Sequence, residues 1–200
     1  MDKYSVCELT IIIECILNYG TILRENDFYL GGRMEFRNAA ASDIDGIMKN
    51  IKQAQAYFKE NGVNQWQNNY PNNETIKNDI EKGYGYVLED NGEIIGTVAV
   101  SFDGEKTYDV IYDGEWLSNG EYAVIHRMAV DNAYKGRGLS SVLIKYIENI
   151  CLDKGVHSIK IDTHNENISM QRVIKKNNFK YCGIIYVEDK SARLAFERIF

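Results

Sequence analysis

The tetrapeptide Lys135-Gly136-Arg137-Gly138 stands directly between an apolar run and a long helical pattern. At a helix start the first backbone N–H groups have no intrahelical partner, and the helix dipole places about half a positive charge there, which suits an anion. Gly136 and Gly138 carry no side chain that would keep a pyrophosphate from those N–H groups. Lys135 and Arg137 add charge at the rim, and Ser140 and Ser141 can donate further hydrogen bonds. A tight strand-to-helix turn without a ligand is the plainer alternative. The spacing lacks the third glycine of a dinucleotide fingerprint and does not form a P-loop. A second chemical candidate lies just upstream, where His126 and Arg127 interrupt the apolar run Tyr122 to Val130. Polar groups in such a strand need partners, and histidine titrates in the range a general base requires. A hydrogen-bonded core histidine would fit the same position.

The elements that must hold these residues alternate strand and helix patterns from Met34 onward. "MEFRNA" reads as a first strand, and Ser42 stands where an N-cap belongs. Ile44, Ile47, Met48 and Ile51 then give the stripe of a helix running to about Asn61. After the loop "GVNQWQNNYPNNE", a second helix spans about Asn73 to Lys82. "GYVLED" and "EIIGTVAVSF" read as strands joined by an Asn-Gly hairpin turn. The polar and aromatic stretch from Asp103 to Glu121 has no clear period. Tyr122 to Val130 reads as a strand buried on both faces. The helix after the glycines carries Leu139, Val142, Leu143, Tyr146, Ile147, Ile150 and Cys151 on one face and ends at Gly155. "VHSIKIDTH", a helix from about Ile168 to Asn177, "FKYCGIIYV" and "RLAFERIF" complete an α/β pattern, expected to fold as a mixed sheet with helices on both faces.

Composition narrows the function classes. With 44% hydrophobic and 26% charged residues, the 200-residue chain is expected to form one globular domain. A formal charge of −6 argues against a nucleic-acid grip and suits a cationic or amine substrate. Cys7, Cys15, Cys151 and Cys182 have no metal-ligand spacing, so reduced thiols in a cytoplasmic protein are expected, with no disulfide framework and no metal site. "VCELTIIIECIL", Val6 to Leu17, is too short to span a membrane and is interrupted by Glu8 and Glu14; it reads as an amphipathic helix. "LGGRM" at Leu30 to Met34 could equally translate a purine-rich ribosome-binding site. Residues 1–33 would then be upstream sequence, and the domain of 34–200 would begin at Met34.

The segment "VDNAYKGRGLSSVL", following a buried strand and opening an amphipathic helix, resembles motif A of the GNAT superfamily of acyl-CoA-dependent N-acyltransferases. Both glycines match, but Ala133 stands where the family has Gln or Arg. "NISMQRVIKKNNF" is similar to the family's second motif, with Asn167 and Phe179 in place. The resemblance covers residues 34–200. It implies a GNAT fold with a mostly antiparallel sheet of six to seven strands, and acetyl-CoA as co-substrate. The pyrophosphate would lie on the backbone of Lys135, Gly136, Arg137, Gly138, Leu139, Ser140 and Ser141. The pantetheine arm would pair with Met128, Ala129 and Val130 where the sheet splays, and Asn167 would touch that arm or cap its own helix.

The resemblance also implies where chemistry would occur. A lysine-like amine is protonated at pH 7 and cannot attack a thioester until it loses a proton. His126 is one candidate base, and Glu121 stands where the family often places a glutamate base, although a solvated loop carboxylate would look the same. The family's usual tyrosine acid falls at Ile174, so that group is missing here. Trp66, Gln67 and Tyr70 lie in the loop that covers the acceptor site in the family, where an aromatic wall could hold an amine. Two functions follow: an N-acetyltransferase acting on a primary amine of a small molecule or peptide, with a homodimer as one possible assembly, or a non-catalytic acyl-CoA sensor of the same fold.

Overall fold

The computed structural model of the protein describes residues 34–200, so the amphipathic helix expected over 6–17 and the division at Met34 lie outside the described residues. In chain order the elements are β1 (Met34–Asn38), α1 (Ile44–Glu60), α2 (Asn73–Glu81), β2 (Gly85–Asp90), β3 (Glu93–Ser101) and β4 (Ala123–Val130). They continue with α3 (Leu139–Asp153), β5 (Ser158–Thr163), α4 (Ile168–Lys176), β6 (Lys180–Tyr186) and β7 (Ala192–Ile199). One seven-stranded sheet runs β1-β2-β3-β4-β5-β7-β6, and only the central β4–β5 pair is parallel. The Asn-Gly turn joins β2 to β3 as expected, with both Asn91 and Gly92 at positive φ.

Each face of the sheet is covered. Leu139, Leu143, Ile144 and Ile147 of α3, with Ile174 of α4, close over Ile125, Ile159 and Ile161 to form the main core. Ile47, Met48 and Ile51 of α1, with Ile76 of α2, cover Val87 and Ala129 on the opposite face. A third cluster, Tyr108, Val124, Ile185 and Ala195, seats part of the 103–121 connection on the sheet, and Tyr112 pairs in both directions with Ile184 of the edge strand β6. Among the described residues no helix is long and apolar enough to cross a membrane.

Two local expectations are corrected. Ser42 does not cap α1: it is exposed within a 3-10 turn, Ala41–Asp43. Asp43 stands at the N-cap position of α1 but does not cap it with its side chain; its carboxylate turns back, accepting from the Ala40 N–H at 2.7 Å while the Arg37 guanidinium grips both its oxygens. A charge-assisted pair on a buried carboxylate outweighs a solvated hydroxyl there. The strand expected from Tyr122 starts at Ala123, and it is not buried on both faces throughout, because His126 and Arg127 are only half-buried.

The reason lies in a β-bulge. Thr97 pairs with Ala129 but Ala99 pairs with His126, so Arg127 and Met128 together stand opposite Val98 alone. Arg127 takes a left-handed backbone, φ 51°. Val124, His126, Arg127 and Ala129 thereby turn toward the α1–α2 side, and Met128 rejoins Ala123 and Ile125 in the main core. Without the extra residue, Arg127 would point into that core.

Candidate active site

The central parallel pair opens. β4 and β5 are bonded only from Ala123–Ile159 to Ile125–Ile161, although β4 continues to Val130 and β5 to Thr163. Past that apex, among the described residues, β5 pairs only with β7 and β4 only with β3. Antiparallel ladders use alternate residues toward one neighbour. Asp131 donates to Ile95 at 2.9 Å, so Asp131 and Ala129 turn their backbone groups toward β3, while those of Val130 and Met128 face the gap. The splay therefore offers an unpaired strand edge inside the sheet, at the carboxyl ends of two parallel strands, where ligands of open α/β sheets commonly sit.

The glycine loop closes the outer end of this gap. Gly138 is the N-cap of α3, with φ 82°, and Gly136 has φ 79°. The Gly138 carbonyl accepts from Ser141 and Val142, whereas the N–H groups of Gly136, Gly138, Leu139 and Ser140 donate to nothing among the described residues. A Cβ added at either glycine would meet no protein atom within 4 Å, so it is the positive φ, and not crowding, that calls for glycine at both positions. Lys135 and Arg137 are exposed at the rim, with Lys135 Nζ 4.7 Å above the Tyr57 ring and Arg137 5.0 Å above Tyr134. Ser141 Oγ accepts from Asn177 and so also ties α3 to the end of α4.

On the α1–α2 side, His126 of β4 and Asp162 of β5 each follow the last paired residue of their strand and flank the apex on one face. His126 Nε2 lies 3.7 Å from Glu105 Oε2, beyond hydrogen-bond length, and its side chain is 21% exposed. Burial and the neighbouring Arg127 push its pKa down to about 4, against the opposing pull of Glu105. The ring is therefore neutral at pH 7. Burial raises the Asp162 carboxyl above its usual range, although Tyr108 Oη donates to it at 2.7 Å. Arg193 Nε stands 4.0 Å away. Glu105 Oε1 is held by the N–H and hydroxyl of Thr107.

The remaining expected site residues are distributed unevenly. Glu121 precedes β4, is exposed, and makes no ion pair or hydrogen bond among the described residues. Five residue steps, at most about 16–18 Å of extended chain, lie between it and His126. Trp66 packs edge-on against Phe58, and Gln67 donates to the carbonyls of Gln55 and Gln65, so both shape the loop itself. Tyr70 reaches the bulge, where its hydroxyl accepts from Arg127 Nη1 at 2.9 Å. Asn167 is buried and caps α4, accepting from Met170 N–H at 3.0 Å, while its amide nitrogen donates to Gln65 in the α1–α2 loop. Glu105, Asp162, Tyr108 and Asp79 had no local signal: the first and third lie in the aperiodic connection, and the others acquire meaning only through distant partners.

A seven-stranded, mostly antiparallel sheet that splays at its parallel pair, beside a glycine-rich helix start, is the arrangement shared by GNAT-fold acetyltransferases. The sequence pattern of the Acetyltransferase (GNAT) family matches residues 51–179. The structure is similar to a GNAT-family acetyltransferase from Streptococcus agalactiae, with 34% identity, coverage of 88% of this chain and 99% of that one, and a TM-score of 0.76. It also resembles a GNAT-family acetyltransferase from Listeria monocytogenes (20% identity, 86% and 97% coverage, TM-score 0.66). In fold it is similar to the ribosomal-protein-S18-alanine N-acetyltransferase of Escherichia coli (14% identity, 83% and 93% coverage, TM-score 0.54). Comparison with curated proteins gives no match. The chain belongs to the GNAT family of acetyltransferases.

Proposed function

We propose that this protein moves the acetyl group of acetyl-CoA onto a primary amine of a small molecule or peptide, by direct attack within a ternary complex. The observation that carries this reading is the unpaired edge of β4 ending at four unbonded N–H groups. That edge suits a pantetheine arm on Met128, Ala129 and Val130, and the loop suits a pyrophosphate on Lys135 to Ser141. Asn167, as a cap, holds the start of α4 beside the same opening.

The acceptor amine approaches from the face that carries His126, Glu105 and Asp162, with Tyr70 and Trp66 in the adjoining loop. The amine attacks in its neutral form, its ammonium proton having passed to solvent; once its nitrogen bonds to the thioester carbon, that nitrogen becomes acidic, and neutral His126 takes the proton. The carbon–sulfur bond breaks and the thiolate leaves with its electron pair. Glu105 stabilises the imidazolium so formed, since an anion within about 4 Å favours the protonated ring. The positioning of two reactants in one cleft supplies much of the acceleration.

Acetyl-CoA is expected to raise the melting temperature of the wild-type protein by binding its native state. Gly138→Glu places a bulky anion before the free N–H groups. It should keep a cooperative transition, lowered by the strained φ, and show no acetyl-CoA shift. An equal shift in that variant would overturn the pyrophosphate assignment.

A further inference from the structure

Two buried side-chain oxygens have no hydrogen-bond partner among the described residues, Asn50 Oδ1 and Thr163 Oγ1. Asn50 still anchors through its amide nitrogen, which donates to Ile94 O at 3.0 Å. Thr163 has no second polar atom in its side chain and is 0% exposed. Burying a hydroxyl without a partner is unfavourable, and valine would fill the same volume without that penalty. A hydroxyl in such a place calls for an explanation.

Its position supplies one. Thr163 is the last residue of β5, two beyond Ile161, where β4 and β5 part. Along β4 the corresponding level, counting the bulge, is Met128. By the alternation of strand side chains Thr163 shares a face with Ile159 and Ile161, the face of the main core that also holds Met128, Met170 and Ile174. A pantetheine arm that starts at the glycine loop and runs back along Val130 and Met128 brings its sulfur to this level. The tyrosine that resembling enzymes place on the following helix is replaced here by Ile174, which is fully buried and apolar.

Resting on the acyl-CoA reading above, we infer that the Thr163 hydroxyl donates a hydrogen bond to the thioester sulfur and stabilises the departing thiolate. The hydroxyl keeps its proton. The carbon–sulfur electron pair goes to sulfur, and the amine proton goes to His126 as before. Met128 and Met170 belong to the surrounding cluster, and their flexible thioether chains can give way to admit the sulfur.

The test compares wild type with Thr163→Val and Thr163→Ser. Valine removes a buried unpaired hydroxyl, so the ligand-free variant should melt at or above the wild-type temperature. Coenzyme A should bind both. The ionisation of its bound thiol, read as thiolate absorbance against the complex with desulfo-coenzyme A, should shift up by about one pH unit in the valine variant. Turnover should fall about 10-fold, with serine restoring both readings. If wild type and Thr163→Val show the same thiol titration and turnover, the Thr163 assignment is overturned and the cofactor site stands. If wild type binds no coenzyme A, the acyl-CoA reading falls with it. Should the valine variant fail to fold, Thr163→Ala carries the same comparison.

Discussion

The Arg127 guanidinium and the Asp79 carboxylate face each other in a two-pronged ion pair, Nε to Oδ2 at 2.7 Å and Nη2 to Oδ1 at 2.6 Å. The pair joins the bulge of β4 to α2, and both side chains are largely buried, 15% and 5% exposed. Removing one member strands the other charge, at a cost of about 3–5 kcal/mol. Asp79→Ala should therefore lower the unfolding free energy by that order in denaturant titration, while the double replacement Asp79→Ala with Arg127→Met should recover most of the loss. A single variant as stable as wild type would remove this pair from the account of how the bulge is held.

His126 makes the fold sensitive to mild acid. Its ordinary value of 6.5 applies to the unfolded chain, and burial lowers it to about 4 in the native one. Between those limits the unfolded state binds the proton that the folded state refuses. Stability contributed by the neutral ring is complete above pH 6.5 and is lost as pH falls toward 4, at up to about 1.4 kcal/mol per unit. His126→Gln should flatten that part of the stability profile relative to wild type. Identical slopes from pH 6.5 to 4 would contradict the burial assigned to the ring. The acidic limb of turnover, if His126 is the base, should likewise sit below 6.5.

Glu105 and Glu121 separate by geometry. Glu105 lies 3.7 Å from the imidazole, and Glu121, exposed before β4, has no ion pair or hydrogen bond among the described residues. Glu105→Gln should reduce turnover about 10-fold or more with acetyl-CoA affinity unchanged, and Glu121→Gln should stay near wild type. The reverse ranking in steady-state kinetics would transfer the carboxylate's role to Glu121.

The sheet, its order of elements and the glycine loop were legible because they are local: alternation, a 3.6-residue stripe, an Asn-Gly turn, two glycines before a helix. His126 was legible as an anomaly in an apolar run. What surrounds it was not. Glu105 comes from a stretch without periodicity, and Asp162 reads as one polar residue in an alternating strand. The bulge that turns Arg127 out of the core depends on β3 register, which a single strand does not encode. Ser42 misled because its hydroxyl fits a cap equally well until Arg37 is seen to hold Asp43.

Asn167 carries two separable duties. Asn167→Ala removes the cap of α4 and the bond to Gln65, and should cost about 1 kcal/mol. Asn167→Asp retains the cap acceptor, loses the donor and brings a carboxylate to a buried position at a helix N-terminus that favours negative charge. Recovery of stability by the aspartate, measured by thermal unfolding, assigns the cost to the cap; no recovery assigns it to the Gln65 bridge.

Thiol release from acetyl-CoA measures turnover directly. The protein should be incubated with acetyl-CoA and a panel of polyamines, aminoglycosides, amino acids and peptides with free amino termini, with thiol followed by a colorimetric reagent and products by mass. Amine-dependent thiol release is expected, one equivalent for each N-acetylated product, with His126→Gln reduced roughly 10²-fold. Tight binding of acetyl-CoA with no thiol released on any amine would contradict it and leave a protein that only binds the thioester.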